Sequence, residues 1–407
     1  MKKVISLPTQ ILIALILGII CGLLVGPAIE PIKILGDIFL RLIQMSVVVM
    51  IMGAVIEAVG SLNPKELGSL GWKMAVWFLG GTLFAACIAI FFGFILKPGV
   101  GVQMDLSTNL AVAPINELTL YETILNFFPT NIIKSMAEAN MIHVIIFSVL
   151  FGLGISILSV EKDVSTVKKM VNEFNQIIVK MITIIMKMAP LGIFALLSWV
   201  TGTIGLSVMI PLSKFLITMA LTTLIYLVMW ILLTASICKV NPLLLARKLT
   251  GMTIMAFTTT SSAITLPIKM RDQETLLGVS KRVSGLVGPL GMVMNSNGLA
   301  IFLALAAITL SQMYGIEISV SQAFSIVLLS TLATLGTVAV PGGGLVALAI
   351  VIPAVGLPIE SVAILAGIDW FSGMFRTVLN VDADATIAMI LAKSENELDD
   401  EILNREI

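Results

Sequence analysis

Apolar runs of about 20 residues follow one another along most of this chain. A helix of that length crosses the hydrocarbon core of a bilayer. In lipid every backbone polar group must find its partner within the protein, which leaves helices as the way for such runs to span. Charge content points the same way: 12% of residues are charged and 58% hydrophobic, against about 25% charged in a soluble domain. The expected fold class is an all-α polytopic membrane protein. Met1-Lys2-Lys3 leads into the first run without a small-residue cleavage signature, so that run reads as a retained span.

Six spans are expected at 7–25, 34–59, 72–96, 142–158, 177–200 and 210–238. Lys2 and Lys3 place the N-terminus on the cytoplasmic side of an inner or plasma membrane, and Lys65, Lys73, Lys162, Lys168, Lys169, Lys239, Arg247 and Lys248 fall on that same side. The next segment, 249–268, breaks the alternation. Arg247 and Lys248 flank it on one side, Lys269, Arg271, Lys281 and Arg282 on the other, and Thr258-Thr259-Thr260-Ser261-Ser262 forms a polar middle. Both ends look cytoplasmic, which predicts a re-entrant helical hairpin with its tip inside the protein.

Residues 283–375 contain no Lys or Arg. A span interrupted at Asn295-Ser296-Asn297-Gly298 comes first. A second apolar pair over 323–357 follows, broken at Val340-Pro341-Gly342-Gly343-Gly344, and reads as a second hairpin entering from the other side. The last apolar segment, 361–392, precedes an acidic tail expected to be cytoplasmic and solvated. Hairpin and broken span therefore occur twice, with opposite entry. That pattern marks inverted repeats around a binding site at mid-membrane.

The last segment carries Arg376, Asn380 and Asp384. Steps of four put them on one helical face, with Arg376 and Asp384 roughly 12 Å apart along it. On this reading the arginine is free for an anion and the aspartate free for a cation. The alternatives are a structural arginine satisfied by carbonyls, and an aspartate that carries a proton or serves as a structural partner. A charge at membrane depth costs at least about 2.5–3.5 kcal/mol, which marks a transport site. Asp382 falls on the opposite side, as a solvated or paired residue. Zero formal net charge gives no footprint for nucleic acid. Cys21, Cys87 and Cys238 read as small packing residues, and His143 has no companion ligand, so neither a metal cluster nor a catalytic set is expected.

These motifs resemble those of the dicarboxylate/amino acid:cation symporters, which include the excitatory glutamate transporters. Ser261-Ser262 with Thr265-Leu266-Pro267 looks like that family's first-hairpin tip. Asn295-Ser296-Asn297-Gly298 stands where it has Asn-Met-Asp-Gly, Val340-Pro341-Gly342 resembles its second-hairpin tip, and Arg376-Thr377, Asn380 and Asp384 resemble its eighth span. Ala189-Pro190-Leu191-Gly192-Ile193-Phe194 is similar to its fifth span. The resemblance implies eight transmembrane helices plus two re-entrant hairpins, a homotrimer, and an elevator. In that elevator residues 1–70, 118–160 and 161–209 form the scaffold, and 71–117, 210–240 and 241–394 form the moving domain, with 395–407 as the cytoplasmic tail.

It also implies roles. Arg376 would take a substrate carboxylate, with Thr377, Asn380, Ser261 and Ser262 as neutral partners and the backbone at Val340, Pro341 and Gly342 receiving the other end. Gly291, Asn295, Asn380 and Asp384 match a sodium site, and Thr334 and Thr337 a second cation site. The family's deep sodium site is degraded: Phe78, Gly81, Thr82 and Asn297 stand for a tyrosine, a threonine, a serine and an aspartate. Leu299 replaces a threonine that helps link ion and substrate. Where amino-acid carriers hold the substrate ammonium with an aspartate, this chain has Gly373, and Thr260 replaces the arginine beside it. The expectation is a secondary symporter for a small acidic substrate, a dicarboxylate by preference, with sodium or a proton and no other cofactor. An amino-acid carrier (acidic, neutral or cystine-like) and an uncoupled facilitator remain open alternatives.

Overall fold

The computed structural model describes residues 7–60, 64–101, 125, 128–138, 141–205, 209–335, 343–358 and 361–406. The regular structure of these residues is helical. The N-terminal part comprises α1 (Leu7–Val25), α2 (Lys33–Gly60), α3 (Pro64–Leu96), α4 (Ile132–Ala137), α5 (Met141–Glu161), α6 (Ser165–Met186), α7 (Ala189–Ile204) and α8 (Met209–Cys238). Helices α1, α2, α5, α6 and α7 pack on one another, while α3 and α8 pack on the C-terminal elements. Small residues set the closest approach. A Cβ on Gly18 of α1 would lie 2.9 Å from Phe194 O of α7, and one on Gly22 would overlap Ser198 O and Thr201 Oγ1.

Four helical stretches among the described residues are long and apolar enough to cross a membrane, or five if one bent pair counts as a single span. The bent pair corrects the expectation of one straight span over 177–200. Helix α6 ends at Met186, α7 starts at Ala189, and the axes differ by 50°. Pro190 explains the break. Its missing N–H is harmless in the first turn of α7, but its ring would clash with the carbonyl of Met186 in a continuous helix.

The C-terminal part begins with α9 (Pro242–Thr259) and α10 (Ser262–Thr275), which pack on each other and on the last long helix. Thr260 closes α9 in the left-handed region (φ 50°), and Ser261 caps α10 by accepting the Ile264 N–H at 3.3 Å. The polar middle of 258–262 is thus the turn of a helical hairpin. Pro267 lies inside α10 rather than at its end. Helices α11 (Lys281–Met294) and α12 (Asn297–Met313) break at Asn295 and Ser296, where the motif predicts a break. Helices α13 (Val320–Leu335) and α14 (Gly343–Ala354) also pack together. Thr337, Val340, Pro341 and Gly342 lie outside the described residues.

The last segment is α15 (Val362–Ala366) followed by α16 (Asp369–Ser394), and it is surrounded by α8 to α12. Helix α12 and most of α16 are buried, so they form the centre of the second packed group. The acidic tail is docked, not simply solvated. Asp399 N–H donates to Gly278 O at 2.8 Å, and Leu403 of α17 (Asp400–Asn404) is buried. Buried Lys248 donates to the carbonyls of Leu276, Ile402 and Leu403 at 2.7–2.9 Å.

Candidate functional site: a charged face at the centre of the helical core

Arg376 sits two turns after Asp369 on α16. Its Nη2 donates to the Asp369 carboxylate at 2.8 Å and to the Asp369 carbonyl at 3.0 Å. Its guanidinium carbon lies 4.5 Å from the ring centre of Phe302 on α12, a cation–π distance. Nη1 is turned toward Gly344 at the start of α14, where a Cβ would overlap it. The arginine is therefore anchored by an internal carboxylate, which corrects the expectation that it is unpaired. A spacing of seven residues on one helix face is the signal that could have found Asp369.

The tip of the first hairpin reaches this arginine. A Cβ built on Gly373 would meet Arg376 Nη2 at 3.3 Å and Thr260 Cβ at 3.8 Å. Thr260, Gly373 and Arg376 thus share one small space. Ser262 is buried beside the hairpin turn and Thr377 is buried within α16, where its Oγ1 donates to Gly373 O at 2.8 Å. Gly298 lets the start of α12 touch α16: a Cβ there would stand 2.6 Å from Arg376 Cα. Asn380 fixes that contact by accepting the Gly298 N–H at 2.8 Å.

Asp384 lies further along, with Gly291 and Asn295 against it. Asn295 Nδ2 donates to Asp384 Oδ1 at 2.7 Å, and a Cβ on Gly291 would be 2.7 Å from Asp384 Cγ. Asp384 is not free for a cation, however. Lys269 of α10 is fully buried and its Nζ lies 2.5 Å from Asp384 Oδ2 and 3.1 Å from Gly288 O. Sequence reasoning used Lys269 as a flanking charge at a membrane surface; the fold turns it into the core. Of the two expectations for Asp382, solvated or paired, the structure has the paired one. It is buried, and both its oxygens lie within 2.9–3.0 Å of Thr253 Oγ1 on α9.

The expected deep cation set is filled by protein. Thr82 Oγ1 lies 2.8 Å from Phe78 O and 2.9 Å from Asn297 Oδ1. Tyr226 of α8, which sequence reasoning missed, donates to Gly81 O at 2.8 Å and stacks on Trp230. Trp230 in turn closes over Gly81, 3.0 Å from where a Cβ would stand. Thr334 is buried with its hydroxyl on Thr331 O at 2.7 Å.

Paired charges held at the centre of an apolar helical protein mark a functional site in a membrane protein, and similarity to known proteins makes it a transporter, not an enzyme. The chain belongs to the sodium:dicarboxylate symporter family, whose model matches residues 7–394. It is 34% identical to the proton/sodium-glutamate symport protein of Bacillus caldotenax, over 98% of this chain and 97% of that one. It is 35% identical to the proton/glutamate-aspartate symporter of Bacillus subtilis (strain 168), over 97% and 96%. It is 30% identical to the C4-dicarboxylate transport protein of the same organism, over 98% and 96%.

Proposed function

We propose that this chain is a secondary symporter that moves a small dicarboxylate with a cation, and that Arg376 anchors one carboxylate. The observation that carries this reading is the bare backbone at Gly373. Next to Arg376 and Thr260, where a side-chain acid would hold an ammonium, there is none. The nearest carboxylate, Asp369, is already engaged by Arg376. An anion at both ends of the substrate fits that chemistry better than an amino group does. Asp369 holds Nη2, and Nη1 faces the second hairpin, so a carboxylate arriving there would meet a pre-oriented guanidinium. Ser261, Ser262, Thr377 and Asn380 supply neutral contacts, and the N–H groups of Val340 and Gly342, on either side of Pro341, receive the far carboxylate.

The same reading treats both hairpins as re-entrant, brings the chain to eight spans and puts both termini in the cytoplasm. It keeps residues 1–70 and 118–209 as a fixed scaffold in a homotrimer, with 71–117 and 210–394 moving as an elevator. A second reading, an acidic amino acid as substrate, is favoured by one observation. The relatives named for glutamate match at 30–35% identity and those named for C4-dicarboxylates at 29–31%.

Uptake into proteoliposomes tests both. Arg376→Ala is expected to weaken dicarboxylate binding by about 1.5–3 kcal/mol, roughly 10- to 150-fold. Unchanged affinity would remove Arg376 from the site. Gly373→Asp is expected to shift preference from succinate toward aspartate, and a variant that gains nothing for α-amino acids would contradict the assigned role of that position.

A further inference from the structure

The residues expected to hold sodium do not fit a sodium ion as they stand. A hard cation of that kind needs several oxygen ligands, one of them anionic by preference. Asp384 supplies the only carboxylate of the set, and both its oxygens are taken, Oδ2 by Lys269 Nζ at 2.5 Å and Oδ1 by Asn295 Nδ2 at 2.7 Å. Asn380 Oδ1 is engaged by the Gly298 N–H at 2.8 Å. The backbone of Gly291 lies so close to the carboxylate that even a Cβ would collide with it. Among the described residues, Asn295 Oδ1 is the one side-chain oxygen of the set left without a partner. One neutral side-chain oxygen beside a carboxylate already bonded through both oxygens does not make a sodium site as it stands.

Lys269 supplies what a sodium ion would. Its side chain is 0% exposed, and a lysine is retained at such depth only when its charge is paired. It reaches Asp384 from the second arm of the first hairpin, so one positive charge ties α10 to α16, and Gly288 O on α11 completes the contact. We propose that Lys269 is a tethered cation. Its ammonium takes the place of sodium on Asp384, and this position in the transport cycle needs no sodium ion. Thr82, Asn297 and Thr334 are also bonded within the protein, so the ion that drives uptake is then a cation other than sodium, acting elsewhere. The transport arm of the test below rests on the symporter reading; the binding arm does not.

The binding arm is thermal unfolding of the purified full-length protein in sodium chloride or choline chloride at equal ionic strength. The wild type is expected to unfold at the same temperature in both. Lys269→Met exposes the carboxylate to solvent ions, and its midpoint is expected to rise saturably with sodium but not with choline. Lys269→Met/Asp384→Asn, which removes both charges, is expected to lose that response. Two results overturn the proposal: a saturable, sodium-specific stabilisation of the wild type, or a Lys269→Met protein indifferent to sodium. The wild-type comparison decides even if a variant does not fold. In proteoliposomes, wild-type succinate uptake is expected to be unchanged when choline replaces sodium, and Lys269→Met uptake to rise at least tenfold with sodium. If no carboxylate is taken up under any gradient, the symporter reading fails, while the unfolding arm still decides the role of Lys269.

Discussion

Arg376 and Asp384 carry opposite charges on one face of α16, and each is held by a partner of opposite sign, Asp369 and Lys269. Removing one member of a buried pair strands the other, so Lys269→Met or Asp384→Asn alone is expected to cost about 3–5 kcal/mol. The double variant is expected to cost less than the two single losses combined, and a double-mutant cycle by chemical denaturation measures the difference. Gly291→Ala is expected to destabilise comparably, because its methyl group would sit 2.7 Å from Asp384 Cγ. A variant as stable as wild type would contradict that close approach. The charged face itself was legible from the spacing of Arg376, Asn380 and Asp384. Its partners were not equally so. Asp369 shares the face at a longer interval, whereas Lys269 is 115 positions from Asp384 and meets it only because a hairpin turns back.

The helix breaks follow local chemistry, which is why they could be read in advance. Ser261 caps, Asn295 and Ser296 leave the helical region, and Gly298 admits a backbone contact. The bend at residues 187–188 was missed because Pro190 was read as part of a family motif, not as a helix start. The tail was misread because its acidity suggested solvent. Glu397 accepts from Arg282 Nη2 at 2.6 Å and from Ser280, and these bonds hold its carboxyl below the ordinary glutamate value. A depressed carboxylate contributes stability above its unfolded value of about 4.5 and loses it as pH falls through the folded value. Amide exchange at Ser280, which donates to Glu397 O at 3.2 Å, is therefore expected to accelerate as pH drops below that range, after correction for intrinsic rates. A pH-independent protection factor there would show that Glu397 does not hold the tail.

Across the whole molecule, two packed groups of helices meet at several places: α15 touches α7, α11, α13 and α14 touch α2, and α3 and α13 touch α5. At one such contact a Cβ on Gly367 would stand 2.8 Å from Leu197 Cδ1. Gly367→Cys with Leu197→Cys, in a background lacking Cys21, Cys87 and Cys238, is expected to cross-link through mercury. If the groups move against each other, the linked protein should bind succinate and fail to transport it until a thiol reagent reverses the link; full transport while linked would contradict the elevator reading. The central claim, that the pocket at Arg376 accepts a second carboxylate and has no anchor for an amino group, is most directly tested on the unmodified protein. The measurement is inhibition of labelled succinate uptake by unlabelled succinate and by aspartate in the same proteoliposomes. Succinate is expected to compete at least tenfold more tightly, a difference of about 1.4 kcal/mol; equal or tighter competition by aspartate would contradict the account.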